Sequence, residues 1–388
     1  ASEEPAGGVD AFTDWPEVDT VIEAGTTRAS VRSVGMRVDL RVVAPQEFGA
    51  ALQYFTGSQA HNVALRNRAI ERGMKMNEYG VFDVGEVAGA SSADAADADE
   101  TSSDDKRAGE RLAGETEARM YEALGLPWIA PELREDTGEI EAAEGGTLPD
   151  LLEEDDLRGD LHVHTEWSDG NNSIAEMVEG AAAYGHDYVA ISDHATGPGM
   201  VGGVGVDDET LREELDAIRS VAAEADIAVF AGVEANIHAD GSLSVADDLL
   251  ADLDLVVAAP HSALDGDGTE RLIAAVEPPA VDVLGHPTGR YLDGRSGLDV
   301  DVDRLAAAAA KHDTALEVNA NPRRLDLGDA AVRTAIEAGA TIAIDTDAHR
   351  PSNYGLVRYG VHTARRGWAE SADVLNARSA EEVREFVA

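Results

Sequence analysis

Residues 160–194 read DLHVHTEWSDGNNSIAEMVEGAAAYGHDYVAISDH. A short apolar run, Asp160–His164, is followed by a helical pattern over Ser173–Tyr184 and then by a second apolar run, Tyr188–His194. Ser173 stands where an N-cap belongs and Gly185 where a helix stops. Strand, helix and strand at this spacing are the sequence form of a parallel βαβ unit. The rhythm continues to the C-terminus. Further apolar runs occupy Ala228–Glu234, Leu255–His261, Val281–His286, Ala315–Asn321 and Thr341–His349. Helical patterns lie between them at Asp208–Ala225, Asp301–Lys311 and Asp329–Ala338, with Asp208 at a cap position and Gly339 past a helix end. Seven strands alternating with helices predict an α/β fold whose parallel sheet closes into a (β/α) barrel.

The strand ends carry the chemistry. The first ends in His162-Val163-His164, the second in Asp193-His194, the third in Glu234, the fourth in His261, the fifth in His286 and the seventh in Asp347-Ala348-His349, while Asp169 follows the first pair. A barrel brings the carboxyl ends of its strands to one face. His162 and His164, two residues apart, point to the same side of a strand. Six of the eleven histidines thus share one structural position. The others, His61, His186, His238, His312 and His362, do not, and read as ordinary residues. Clustered imidazoles and carboxylates need a counter-charge, which divalent ions supply, and nine N/O ligands suit two or three ions. Zinc, manganese and iron all tolerate this set. Asp193, beside His194, either orients that ring or caps a turn.

HVH, SDH, GVE, PHS, GHP and DAH, in this order, resemble the PHP (polymerase and histidinol phosphatase) domain. LGHPTGR (284–290), EVNANPRRLDL (317–327) and RYGVHTARRGW (358–368) resemble one branch of it, the C-terminal domain of bacterial and archaeal family X DNA polymerases. The resemblance covers about 155–388 and implies a distorted seven-stranded barrel. It implies a first metal on His162, His164, Glu234 and Asp347, a second on the bridging Glu234 with His261 and His286, and a third on Asp169, His194 and His349. These nine residues are therefore the expected catalytic set. The implied chemistry is phosphoester hydrolysis on DNA: 3′–5′ exonuclease and, in some members, 3′-end phosphatase or abasic-site cleavage. Bridged ions acidify a shared water and clamp phosphate oxygens, so no side-chain nucleophile is required. Arg290, Arg323, Arg324, Arg358, Arg365 and Arg366 lie in or near the same stretches, as phosphate grips or as partners for surplus carboxylates. Arg290 and Arg323 are the expected DNA contacts. Asn319 and Asn321 either touch substrate or turn the chain.

The N-terminal block resembles the late palm and thumb of the same polymerases over about 17–83. The stretches are Val38-Asp39-Leu40-Arg41-Val42, Leu52-Gln53-Tyr54-Phe55-Thr56-Gly57-Ser58, His61-Asn62 and Met76-Asn77-Glu78-Tyr79-Gly80. The resemblance assigns Tyr54, Phe55 and Gly57 to the sugar of an incoming nucleotide. It turns Asn62 and Arg66 toward the nascent base pair and makes Asp39 the third of three metal-binding carboxylates. Arg66, Arg68, Arg72 and Lys75 against Glu71 alone form a basic island, as a backbone-contacting helix requires. The first two catalytic carboxylates of the family, a GD-x-D motif, have no counterpart in residues 1–38. Nucleotidyl transfer, with Mg or Mn and a dNTP, is therefore expected only of a longer parent, and this chain reads as a truncated repair polymerase.

Composition sets the outer bounds. The chain has 388 residues, 44% hydrophobic, and no cysteine, which excludes a disulfide scaffold and any thiolate metal site. No apolar run reaches a membrane span and the N-terminus has no signal-peptide pattern, so a soluble, cytoplasmic protein that needs no oligomer is expected. Seventy-six acidic against 30 basic residues give a net charge of −46, and the only lysines are Lys75, Lys106 and Lys311. Such a charge repels nucleic acid and membrane alike in dilute buffer. Adaptation to multimolar salt, as in an extreme halophile, is the expectation. The segment 84–117 is poor in apolar residues and reads as a disordered acidic insert. The expected domains are a palm remnant over 1–50, a thumb-like region over 51–155 and the PHP domain over 156–388. Two other functions fit the sequence less well: a phosphatase for a small monoester such as histidinol phosphate, and a barrel that only braces a polymerase.

Overall fold

The structure, a computed structural model, describes residues 1–2, 5–85, 106–197, 199 and 204–388. The chain forms two compact units, Ala1–Leu148 and Pro149–Ala388.

In the first unit a helix over Pro5–Thr13 precedes an antiparallel sheet of β1 (Thr20–Ala24), β2 (Arg28–Ser33) and β3 (Met36–Arg41). Helices Phe48–Tyr54 and Gln59–Glu71 follow, the second capped by Ser58, whose hydroxyl accepts from the His61 amide. A second antiparallel sheet holds β4 (Met74–Asn77), β5 (Gly80–Asp83) and β6 (Glu110–Ala113), and helices Glu117–Ala123 and Glu139–Gly145 complete the unit. Strand β6 corrects the expectation for 84–117. Its ladder with β5 (Val81 with Ala113, Phe82 with Arg111) is made of backbone bonds and buries only Ala113, so apolar content does not announce it. The rest of that segment, 86–105, lies outside the described residues.

The second unit is the barrel. Its strands are β7 (Gly159–Val163), β8 (Tyr188–Ile191), β9 (Ala228–Asn236), β10 (Leu255–Ala259), β11 (Val283–Leu284), β12 (Ala315–Asn319) and β13 (Ile342–Asp345). They stand in chain order, every neighbour parallel. The last closes toward the first beyond its own end: the His164 amide donates to Ala348 O at 2.8 Å and Val163 bridges Ala348. The result is a nearly closed, distorted seven-stranded barrel.

Local sequence accounts for these elements. Helix Ile174–Tyr184 starts at a Ser173–Glu176 capping box and stops at Gly185, which takes φ +111, an arrangement in which the cap contributes ~1 kcal/mol. Helix Asp208–Ala222 is capped by Asp207, whose carboxylate accepts from the Thr210 amide. The cap is thus one residue before the expected Asp208, because that oxygen must reach the amide three residues on. Helices Val302–His312 and Asp329–Glu337 fall where the patterns place them. Outward strand residues such as Val189, Val233, Val256 and Val318 pack under these helices. Inward ones, Tyr188, Phe230, Leu255, Val257 and Ala343, fill the barrel with Leu161, Leu375 and Val383. The interior is therefore packed except where the strand ends become polar.

Candidate metal centre

The polar end follows from alternation along each strand. On β9, Phe230 faces the barrel interior, so Glu234, four residues on, faces it too. On β13, Ala343 is interior and Asp347 lies four residues further. On β7 a register shift between Asp160 and Val163 lets Leu161 join the interior while His162 and His164 both reach Glu234.

Glu234, fully buried, organises the centre. Its Oε1 lies 2.9 Å from His286 Nε2 and 3.2 Å from His261 Nε2. Its Oε2 lies 2.5 Å from His194 Nδ1, 3.3 Å from His162 Nε2 and 3.6 Å from His164 Nε2. Asp347 Oδ1 is 3.2 Å from His164 Nε2. Asp169 Oδ1 is 3.1 Å from His349 Nε2 and 3.6 Å from His194 Nε2. Four overlapping groups of metal-capable atoms result: His162, Glu234 and His286; His162, His164 and Asp347; His194, Glu234 and His261; and His164, Asp169, His194 and His349. All nine sequence-predicted residues converge.

Do these residues suit ions? Within this packed centre, His162 Nε2, both ring nitrogens of His164, both of His261, His194 Nδ1, His286 Nδ1 and Glu234 Oε2 are buried without a hydrogen-bond partner. Buried polar atoms without partners cost ~1–3 kcal/mol each. A concentration of them in one place suits divalent cations, since imidazole and carboxylate are hard-to-borderline donors. Two of the converging residues also sit on left-handed backbone, His286 at φ +27 and Asp347 at φ +53, a conformation that non-glycine residues adopt rarely and that clusters at functional sites.

The electrostatics separate the rings. Burial pushes His286 down to about 3, helped by the Arg324 charge, and pushes His164 down to about 4, helped by His194 and His349. Burial also opposes charge on His349, but Asp169 and Asp347 outweigh it and hold that ring up at about 9. Burial likewise opposes charge on Glu234, yet the surrounding imidazoles keep it well below the usual carboxylate range.

Around the centre the structure decides between the two readings of Asp193 and shows where the expected arginines lie. Asp193 does not touch His194. Its carboxylate accepts from the Thr165 amide at 2.7 Å, the Thr165 hydroxyl at 2.5 Å and the Ser168 hydroxyl, so it shapes the turn that carries Asp169. The side chains of 193 and 194 leave an extended backbone on opposite sides, which separates them. Arg290 donates to the carbonyls of Arg324 (2.9 Å) and Leu325, and Arg323 to the Tyr291 hydroxyl at 2.9 Å. The cation beside the centre is Arg324, with Nε 3.5 Å from Asp347 Oδ2. Sequence reasoning also passed over Glu317, buried on β12 with Oε1 2.7 Å from His162 Nδ1. Its signal was present: Ala315 faces the interior, so Glu317 and Asn319 must as well.

In the first unit, Tyr54 ends its helix edge-to-face with Phe55, ring centroids 5.0 Å apart, and Phe55 is 61% exposed. Gly57, at φ +92, lies so close to Arg134 that an added Cβ would come within 2.5 Å of its Cβ. The Asn62 amide is engaged inside the unit: Nδ2 donates to Tyr54 O and Ser58 O at 3.2 Å, and Oδ1 accepts from Gln53 Nε2 at 3.0 Å. It braces the turn instead of facing outward. Arg66 is half-buried, with Nε 3.4 Å from Asn62 O. Asp39 is exposed on β3 beside Ser30 and Arg37. Among the described residues, every metal-capable group lies in the second unit.

Comparison with known proteins agrees with both halves. Residues 51–135 match the DNA polymerase beta thumb and residues 160–277 the PHP domain. Over its whole length the chain is 36% identical to the DNA polymerase/3′-5′ exonuclease PolX of Bacillus subtilis, and it spans 65% of that protein's length. Half of the chain is 28% identical to the probable phosphatase YcdX of Escherichia coli O1:K1, covering 80% of it. A crystal structure of histidinol phosphate phosphatase from Lactococcus lactis, with zinc, L-histidinol and phosphate, aligns over 54% of this chain and 93% of that one, at 16% identity and a TM-score of 0.42.

Proposed function

We propose that the chain belongs with the family X polymerases that join a polymerase beta thumb to a PHP domain, and that its barrel hydrolyses phosphodiesters of DNA from the 3′ end. One observation carries the reading: the two oxygens of Glu234 divide the histidines between them. A carboxylate so placed would offer one oxygen to each of two neighbouring ion positions.

His162, His164, Glu234 and Asp347 would hold one ion, Glu234 with His261 and His286 a second, and Asp169, His194 and His349 a third. Zinc, manganese or iron fits these donors. Divalent ions there supply Lewis acidity toward a phosphate ester and acidify water. The protein does the rest. His164 and His286, held neutral by burial, keep lone pairs available at neutral pH. Asp193 fixes the turn on which Asp169 rides. Arg324, at the rim, offers a fixed positive charge to a phosphate oxygen. We infer that Arg290 and Arg323 support DNA through the loops they brace, and that the basic helix bearing Arg66 contacts the DNA backbone. Tyr54, Phe55, Gly57 and Asn62 would shape the nucleotide side in a longer polymerase, where Asp39 joins two further carboxylates around Mg or Mn and a dNTP.

Hydrolysis adds water across one P–O bond, leaving a shortened strand with a 3′-hydroxyl and a nucleoside 5′-monophosphate. Dialysis against a chelator should stop the shortening of a 5′-labelled oligonucleotide, and added divalent metal should restore it. Hydrolysis confined to small monoesters such as p-nitrophenyl phosphate would replace this reading with a phosphatase.

A further inference from the structure

Glu317 belongs to none of the four metal-capable groups, yet it holds members of two. Oε1 stands 2.7 Å from His162 Nδ1, and Oε2 accepts the backbone N–H of His286. Asn319 Nδ2 lies 3.3 Å from the same Oε2. On its other side the His162 ring turns Nε2 to Glu234 at 3.3 Å, and that nitrogen has no hydrogen-bond partner. The His286 amide that Glu317 holds belongs to the residue at φ +27.

We propose that Glu317 is a positioning residue that presents His162 and His286 to the ions, a proposal that rests on the metal-centre reading above. A neutral imidazole can carry its proton on either nitrogen. An acceptor at Nδ1 keeps the proton there and leaves the Nε2 lone pair facing outward. The second oxygen ties down the backbone of a ligand in a sparsely populated conformation. One buried carboxylate therefore sets both a tautomer and a backbone angle, on two different strands. Its reach is selective. His162 and His286 enter only two of the four groups, His162 with Glu234 and His286, and His162 with His164 and Asp347; the group of His164, Asp169, His194 and His349 contains neither residue.

Glu317→Gln tests this with little change of shape. Glutamine offers one acceptor and one donor group, whereas His162 Nδ1–H and the His286 amide both need an acceptor. One is left unpaired, or the His162 proton moves to Nε2, the ion-facing atom. The measurements are zinc stoichiometry and affinity for the full chain against a competing chelator, melting of the metal-free protein, and long-range 15N–1H NMR spectra of the histidine rings. The expected result is zinc bound about 10–100-fold more weakly at the positions using His162 or His286, with one zinc retained at wild-type affinity, unchanged melting, and an altered His162 tautomer signal. Wild-type affinity at every position overturns the proposal. So does a variant that unfolds or weakens all positions alike, since that assigns Glu317 a general structural role. A wild-type chain that binds no zinc, manganese or iron would instead overturn the metal-centre reading on which the proposal stands.

Discussion

Arg324 Nε lies 3.5 Å from Asp347 Oδ2, and its side chain keeps 17% exposure while Asp347 keeps 7%. The guanidinium therefore stands between a carboxylate of the candidate centre and solvent, where a phosphate oxygen would approach in the proposed reaction. Its two neighbours in the expected basic set are engaged elsewhere, Arg290 with backbone carbonyls and Arg323 with Tyr291.

Arg324→Ala should lower the rate of oligonucleotide hydrolysis by ~10²-fold, the scale of one lost transition-state donor, while metal content stays at the wild-type value. Arg324→Lys should recover part of the loss, because it restores charge without the planar fork. Steady-state digestion with metal analysis on the same samples checks this. An unchanged rate in the alanine variant would remove Arg324 from the site.

The contrast between Arg324 and its neighbours marks how far the sequence could be read. Eight of the nine converging residues were legible because each lies at or just past a strand end, and strand ends of a barrel meet whatever the loops do; Asp169 was legible only as the carboxylate that follows the first histidine pair. Glu317 was not, because within Ala315–Asn319 it looks like one more buried strand position, and only the identity of the interior face reveals it. Arg323 and Arg324 are adjacent and chemically identical in the sequence; the turn after β12 alone decides which reaches Asp347. Asp193 stayed open between orienting His194 and capping a turn, since adjacency in sequence suggests contact that backbone alternation prevents; the structure realises the turn. Strand β6 escaped because an edge strand held by backbone bonds needs little apolar content.

Burial, with the charge of Asp193 beside it, pushes the Glu214 carboxyl up to about 10. The folded value thus exceeds the unfolded one, so between about 4.5 and 10 the folded state binds more protons and stability falls as pH rises. Glu214→Gln is neutral at every pH and lacks this slope. The stability of the variant relative to wild type should therefore increase with pH, by up to ~1.4 kcal/mol per unit within that window. Chemical denaturation at pH 5, 7 and 9, chosen as rough points across that window, reads it. A difference independent of pH would show that Glu214 ionises normally.

Gly57 tests the first unit. Gly57→Ala places a side chain at φ +92, 2.5 Å from Arg134 Cβ, and should cost at least ~1–3 kcal/mol of stability. Melting followed by near-ultraviolet circular dichroism detects this. A variant as stable as the parent would mean that the turn before Ser58 adopts another conformation.

The net charge of −46 predicts an inverted salt response. Salt weakens ordinary phosphate contacts through counterion release, yet it also screens self-repulsion and the repulsion of DNA. Here the second effect should win, so digestion should rise from dilute buffer to molar KCl. Activity that peaks in dilute buffer, with circular dichroism unchanged across the range, would show that the acidity does not serve high salt.

If Glu234 joins ions into one hydrolytic centre, metal content and digestion measured together on Glu234→Ala should fall together. The wild-type chain should carry two or three divalent ions and shorten a 5′-labelled single strand from its 3′ end. The variant should lose at least one ion and fall at least ~10³-fold in rate, since removing the bridge disrupts both the water and the phosphate clamp. Near-normal digestion by a variant that has lost the ion would contradict the account.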